Sequence, residues 1–177
     1  MHRVRRLTAM ALPVVSVIAL STTSTGRPAS AAEGTKCTFE FEAVASPGLN
    51  TQGSSGTVRT EKDGTIACDG PVGGKQPTGP GKTSYDGRYG TKDPDTCQTG
   101  GEGAGVMSMT IPTSDGQVKI DDKQAFTYGA FKAGSAFSGE FTGEHMSGTF
   151  EVQPLDGDCA SKPVTRYQVK GKGVLKG

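Results

Sequence analysis

The stretch Ser135-Ala-Phe-Ser-Gly-Glu-Phe-Thr-Gly-Glu-His-Met-Ser-Gly-Thr-Phe-Glu-Val152 decides the fold. A two-residue turn at Gly143-Glu144 suits type II′ geometry, which wants Gly first. In that register Thr142 faces His145, Phe141 faces Met146 and Gly139 faces Gly148. Phe137 then faces Phe150, and Ser135 faces Val152. Side chains alternate along a strand, so Phe137, Phe141, Met146, Phe150 and Val152 share one face. Ser138, Glu140, Thr142, Ser147, Thr149 and Glu151 share the other. A one-residue slip would mix the two sets, so the apolar pattern fixes which face is buried. The stretch predicts a half-buried antiparallel hairpin with an aromatic inner face.

The same alternation recurs on both sides. Residues 37–45 place Cys37, Phe39, Phe41 and Ala43 on one face, with Thr38, Glu40 and Glu42 on the other. Residues 57–68 are β-prone and interrupted by Asp63-Gly64, which predicts either a long bulged strand or a tight hairpin. Residues 83–90 read as a short strand or an ordered loop carrying Tyr85 and Tyr89. Residues 105–111 form a strand with Met107, Met109 and Ile111 on one face, ended by Pro112. Residues 117–120 and 124–131 supply another strand or two around Asp121-Asp122. The last strand, 164–175, points Tyr167, Val169, Gly171, Gly173 and Leu175 inward. Its outward row of Arg166, Gln168, Lys170 and Lys172 is a solvated face that discourages edge pairing. Between these strands, residues 69–82 and 91–104 are Gly- and Pro-rich loops, and Gly100 to Gly105 reads as a mobile part of the second.

No segment has apolar residues at helical spacing, and the 27 Gly argue against helix throughout. Eight or nine short strands separated by turns predict an all-β domain, either a barrel or a sandwich. An antiparallel eight- or nine-stranded barrel fits better. Gly139 facing Gly148, with Gly171 and Gly173 in the last strand, permits the sharp coiling of a small barrel.

The N-terminus is read separately. Arg3, Arg5 and Arg6 precede an apolar run from Leu7 to Leu20, and Ala29-Ser30-Ala31 offers a small-x-small cleavage site. Residues 1–31 are therefore expected to be a secretory signal peptide, and 32–177 a single domain. The apolar run is short for a membrane span. The flanks of Arg5-Arg6 match twin-arginine export poorly. Removing residues 1–31 takes away Arg3, Arg5, Arg6 and Arg27, leaving 15 basic against 18 acidic residues and a net charge of −3. An acidic surface disfavours nucleic acid and anionic membrane as partners.

Four Cys in an exported chain predict two disulfides. Of the three connectivities, Cys37–Cys68 is favoured because the two would lie at the same end of a first hairpin, which leaves Cys97–Cys159. A zinc site would require two closely spaced ligands, and the nearest Cys are Cys68 and Cys97.

The catalytic candidates are weak. His145 is the single His after residue 31 and flanks a turn, with no Gly-x-Ser-x-Gly motif to accompany it. The pairs Asp93/Asp95, Asp121/Asp122 and Asp156/Asp158 have the composition of calcium ligands but lack EF-hand spacing. Five of the ten Asp directly precede Gly, which is turn chemistry. Gly81-Lys82-Thr83 resembles the end of a P-loop, but Gln76 stands where that motif needs Gly. Glu40, Glu42, Glu140 and Glu151 lie outward on strands, unsuited to paired glycosidase carboxylates.

What remains is the interior. Phe39, Phe41, Met107, Met109, Phe126 or Phe131, Phe137, Phe141, Met146, Phe150, Tyr167 and Val169 are the candidates to line it. A small barrel either fills its interior or holds one small apolar ligand there.

With Tyr85-Asp86-Gly87-Arg88-Tyr89-Gly90, the hairpin, and Gly157-Asp158-Cys159 followed by Pro163-Val164-Thr165, the chain resembles small Gly- and Thr-rich exported proteins of high-GC Gram-positive bacteria. Most of those families carry no assigned activity, so the resemblance implies no catalytic residues. In fold it is similar to the barrels of allene oxide cyclase, dirigent proteins and lipocalins, a likeness that carries no function.

The expectation is thus a secreted, monomeric, non-enzymatic barrel without cofactor or metal. Its ligand-binding candidates are Phe39, Phe41, Met107, Met109, Phe137, Phe141, Met146, Phe150 and Tyr167. The alternative is an inhibitor or interaction protein that meets an extracellular protein through loops 69–82 and 91–104. For an enzyme, His145, Tyr85 and Tyr89 would be the first residues to inspect.

Overall fold

Alternating burial runs through the chain, and the backbone follows it. The computed structural model describes residues 34–131 and 135–176, and the export signal read at residues 1–31 lies outside them. The described residues contain no helix and nine strands: β1 (Thr35–Leu49), β2 (Gly56–Thr60), β3 (Gly64–Asp69), β4 (Gly81–Tyr89), β5 (Gly101–Thr113), β6 (Gly116–Tyr128), β7 (Phe137–Gly143), β8 (Met146–Pro154) and β9 (Val164–Leu175).

All nine belong to one antiparallel sheet that closes on itself. β1 pairs with β9 from Thr35↔Leu175 through Val44↔Arg166. The closed ring makes this a barrel and rules out the sandwich. β2 lies beside residues 43–46 of β1 and 86–89 of β4. β3 lies beside residues 36–40 of β1 and 81–83 of β4. The two therefore share one place in the wall, and the long bulged strand is the correct reading of residues 57–68. The wall has eight strand positions in up-and-down order.

The hairpin register differs from the expected one. Phe137 faces Val152, Gly139 faces Phe150, Phe141 faces Gly148 and Thr142 faces Ser147. The turn is centred on Glu144-His145 rather than Gly143-Glu144. The displacement is two residues, so every side chain keeps its face. The cause lies on β6: the Asp122 carboxylate accepts the backbone N–H of His145 at 2.7 Å and of Met146 at 3.1 Å. Gly143 packs its bare Cα against that carboxylate, where a Cβ would collide.

Three further boundaries move. β6 runs unbroken through Asp121-Asp122, with Asp121 outward and Asp122 inward. β5 begins at Gly101 and carries Pro112 to Thr113, so the stretch read as mobile, Gly100 to Gly105, lies mostly in a strand. Loop 91–104 accordingly ends near Gly100, and loop 69–82 ends where β4 begins at Gly81.

Both disulfides are those expected. Cys37–Cys68 links directly opposed residues of β1 and β3 near the base of the barrel. Cys97–Cys159 ties the β4–β5 loop to the β8–β9 loop at the top. The base is packed solid by Ile66, Met109, Ile111, Met146, Leu175 and Val72. Val72 comes from the β3–β4 loop, at the head of a tight turn through Gly73 and Gly74, whose φ values of 55° and 75° suit a type I′ turn. At the top a second cluster gathers Leu49, Tyr89, Cys97, Phe131, Phe137, Cys159 and Val164.

Candidate functional site

Between the two clusters the interior is not filled. A cavity of about 110 Å³ lies there, walled by 18 side chains from eight of the strands, β3 alone contributing none. Half-buried Val58, Phe126, Phe150 and Val169 border both clusters. One water needs roughly 10–15 Å³ measured this way, so the space holds several waters or one small organic molecule.

The glycines explain why the space stays open. Gly139 faces Phe150, Gly171 faces Phe39 and Gly103 faces Phe126 across neighbouring strands. A Cβ on any of these glycines would strike the ring tip of its partner. Each ring therefore lies along the wall over a bare backbone, instead of reaching to the barrel axis. The rings form a continuous belt. Phe41 and Tyr85 are parallel at 6.4 Å, and Tyr85 meets Phe126 edge-on at 6.1 Å. Phe126 meets Phe150 edge-on at 6.2 Å.

Of the nine residues expected to bind a ligand, seven line the cavity: Phe39, Phe41, Met107, Phe137, Phe141, Phe150 and Tyr167. Met109 and Met146 do not, since both belong to the packed base, at 1 % and 0 % exposure. Of the remaining lining candidates, Phe126 and Val169 are on the wall, while Phe131 stacks on Phe137 in the top cluster. The cavity also takes in Val58, Tyr85, Tyr89, Gln124, Tyr128 and Val152. The alternation Gln124-x-Phe126-x-Tyr128 was the signal for three of the wall residues.

Among the described residues no lining side chain carries a charge, and all four Tyr of the chain are in the wall. Three give their hydroxyl to a protein acceptor. Tyr128 donates to Asp95 Oδ2 at 2.8 Å, Tyr167 to the Val164 carbonyl at 2.7 Å, and Tyr89 to the Pro47 carbonyl. Tyr85, 7 % exposed, has no hydrogen-bond partner for its hydroxyl among the described residues. Burial holds all four phenols above their ordinary pKa, with the Asp95 carboxylate adding to the shift at Tyr128 and the Asp86 charge at Tyr85. The four are protonated donors at any physiological pH.

Among the described residues two carboxylates are buried, Asp95 and Asp122, and both are structural. Asp95 is pushed above its ordinary pKa by burial, against the opposing hydrogen bonds from Tyr128 and from the N–H groups of Glu102 and Gly90. Asp122 accepts from Gln124 Nε2 at 2.8 Å as well as from the hairpin turn. The remaining polar candidates are outside. His145 is exposed at the turn. Glu40 and Glu42 pair with Lys170 and Arg166 at 3.3 and 2.9 Å on the outer surface. Asp156 and Asp158 cap the β8–β9 loop by accepting backbone N–H groups. Among the described residues no three His, Cys, Asp or Glu side chains gather as metal ligands would. Gly81-Lys82-Thr83 is the start of β4, with no helix after it. Among the described residues no helix is long and apolar enough to cross a membrane.

The chain matches no protein-family model, no curated protein and no solved structure.

Proposed function

We propose that this protein is a secreted, non-enzymatic barrel that binds one small apolar molecule in its interior. The observation that carries this is the uncharged cavity of about 110 Å³ between a packed base and a packed top. A filled core of this wall would gain contact energy, because an unfilled space forfeits dispersion contacts along its whole lining. Here rings that would have closed the space are laid aside over Gly103, Gly139 and Gly171. Two disulfides fit an oxidising compartment.

Native and denaturing mass spectra of protein from the producer's culture fluid test this. A small mass present only in the native spectrum is the expected result. A bare mass, together with no uptake of toluene or acetophenone by calorimetry, refutes the reading.

The alternative of an interaction protein acting through loops 69–82 and 91–104 draws less support. Val72, Asp95 and Cys97, buried members of those loops, point into the fold, and residues 101–104 are in β5.

A further inference from the structure

The proposed ligand is so far only apolar, and the makeup of the wall narrows its class. We infer that the occupant is a single-ring aromatic hydrocarbon, of benzene to toluene size, that carries no hydrogen-bonding group. The inference rests on the cavity reading above and adds a chemical class to it.

Nearly all of the surface turned to the space is carbon. The polar ends of the wall are directed elsewhere. Tyr89, Tyr128 and Tyr167 donate their hydroxyls to Pro47, Asp95 and Val164. The Tyr85 hydroxyl is covered, lying over the bare backbone of Gly87 and Gly105. Gln124 is 5 % exposed and gives its Nε2 to Asp122. A hydroxyl, carbonyl or amine on the occupant would lose its water and gain little in return, and burying a polar group without a partner is unfavourable. An ionised group would in addition lack a counter-charge, since no Lys, Arg or His borders the cavity among the described residues. The wall thus selects against fatty acids, alcohols and amines.

The wall also favours an aromatic over an aliphatic body. Ten of the 18 lining side chains are aromatic, and they come from β1, β4, β6, β7, β8 and β9. They already meet one another in favourable geometries, as Phe39 and Phe141 do edge-on at 5.7 Å and Phe137 and Tyr167 edge-on at 6.4 Å. Aromatic pairs arranged in this way gain free energy beyond the area they bury. An aromatic occupant extends the belt inward, whereas an aliphatic one gains the area alone. Size sets the number of rings. Dry apolar cavities of roughly 150 Å³ take up benzene. The space of about 110 Å³ here has room for one ring and not for two.

Calorimetric titration of the unaltered, oxidised protein with toluene, methylcyclohexane and phenol tests this. Toluene and methylcyclohexane share a carbon skeleton, and phenol replaces the toluene methyl by a hydroxyl of similar size. The Kd of each hydrocarbon is multiplied by its hexadecane–water partition coefficient, so that hydrophobicity alone would give equal products. On that scale toluene is expected to bind at least about threefold more tightly than methylcyclohexane. Phenol is expected to bind at least about thirtyfold more weakly than toluene. Equal products, or products that favour methylcyclohexane, overturn the aromatic claim and leave the cavity reading intact. A smaller loss with phenol overturns the claim that the occupant has no polar group, and again leaves the cavity reading intact. If neither hydrocarbon binds, the cavity reading itself fails. Ring currents locate the occupant: toluene should shift the methyl resonances of Val58, Met107 and Val169, which border the space, and leave those of exposed Val174 in place. Shifts at Val174 with none at Met107 would put the ring outside the barrel and overturn the inference.

Discussion

The Asp122 carboxylate accepts the backbone N–H of His145 at 2.7 Å, across 23 residues of chain, and so fastens the β7–β8 turn to β6. The same carboxylate serves Met146 and Gln124 and is wholly buried. Removing it strands three donors at once. Asp122→Ala is expected to lower unfolding stability by about 2–4 kcal/mol, since each buried unpaired group costs about 1–3 kcal/mol and the site relaxes only in part. Urea titration measures it. A loss below about 0.5 kcal/mol would mean that the turn is held by the strands alone.

The tyrosines should divide by partner. Tyr128→Phe leaves the buried Asp95 carboxylate without one of its three donors. It is expected to cost about 1–3 kcal/mol. Tyr85→Phe removes a hydroxyl that has no partner among the described residues, and is expected to be neutral or to stabilise by about 1 kcal/mol. Thermal unfolding of the two variants side by side should move in opposite directions or nearly so. Equal losses would show that the Tyr85 hydroxyl is paired in solution.

Filling the cavity should separate stability from binding. Val58 is half-buried and borders the space. Val58→Phe places a ring there, and is expected to abolish uptake of a small aromatic while leaving the melting temperature equal or higher. A variant that still takes up toluene with unchanged affinity would place the ligand elsewhere.

Acid should act on two carboxylates in opposite senses. Hydrogen bonds from the Ser161 hydroxyl, the Lys162 N–H and the Ser161 N–H hold Asp158 down to about 2. Its stabilising effect is therefore complete above the ordinary carboxylate range and fades as the pH falls towards about 2. Asp95 is raised by burial. The folded state binds its proton more readily than the unfolded chain, so its contribution falls as pH rises through that higher value. Amide shifts of Ser161 and Lys162 should titrate near pH 2, and those of Gly90 and Glu102 at a higher pH than an ordinary Asp. A common midpoint for both pairs would contradict this.

The Cys97–Cys159 bridge closes a separation of 62 residues. By the chain-entropy relation its removal in a Cys97→Ser, Cys159→Ser variant should cost about 4 kcal/mol. The top cluster should loosen with it, because Phe131 N–H donates to the Cys97 carbonyl at 2.9 Å and the Cys97 N–H donates to the Asn50 carbonyl at 3.3 Å. Hydrogen exchange at Phe131 and Cys97 accelerated relative to β1 is the expected sign. Uniform protection would show that the loops hold one another without the bridge.

The strands and their inner faces were legible because burial alternates with period two along most of β1, β4 and β7. The hairpin register was not, because Gly143 is present for Asp122, a residue on another strand, and not for a type II′ turn. Local turn chemistry pointed one way and a long-range carboxylate decided the other. The aromatic wall was legible from Phe39, Phe41, Phe137, Phe141 and Phe150. That Met109 and Met146 lie below the cavity was hidden, because height along a barrel depends on strand stagger, and alternation reports only the face. The inward turn of Val72 was hidden in a Gly/Pro-rich loop that has no period at all. The partners Asp95 and Tyr128 are 33 residues apart, and nothing local pairs them.

The chain contains no Trp, and its four Tyr all stand in the wall of the cavity. Every aromatic chromophore that absorbs beyond the peptide and phenylalanine bands is thus a witness to the interior. Emission and near-ultraviolet dichroism of the rings carry no background from the outer surface. An occupant would alter the whole of that signal and not a fraction of it, so the protein reports its own occupancy without a dye.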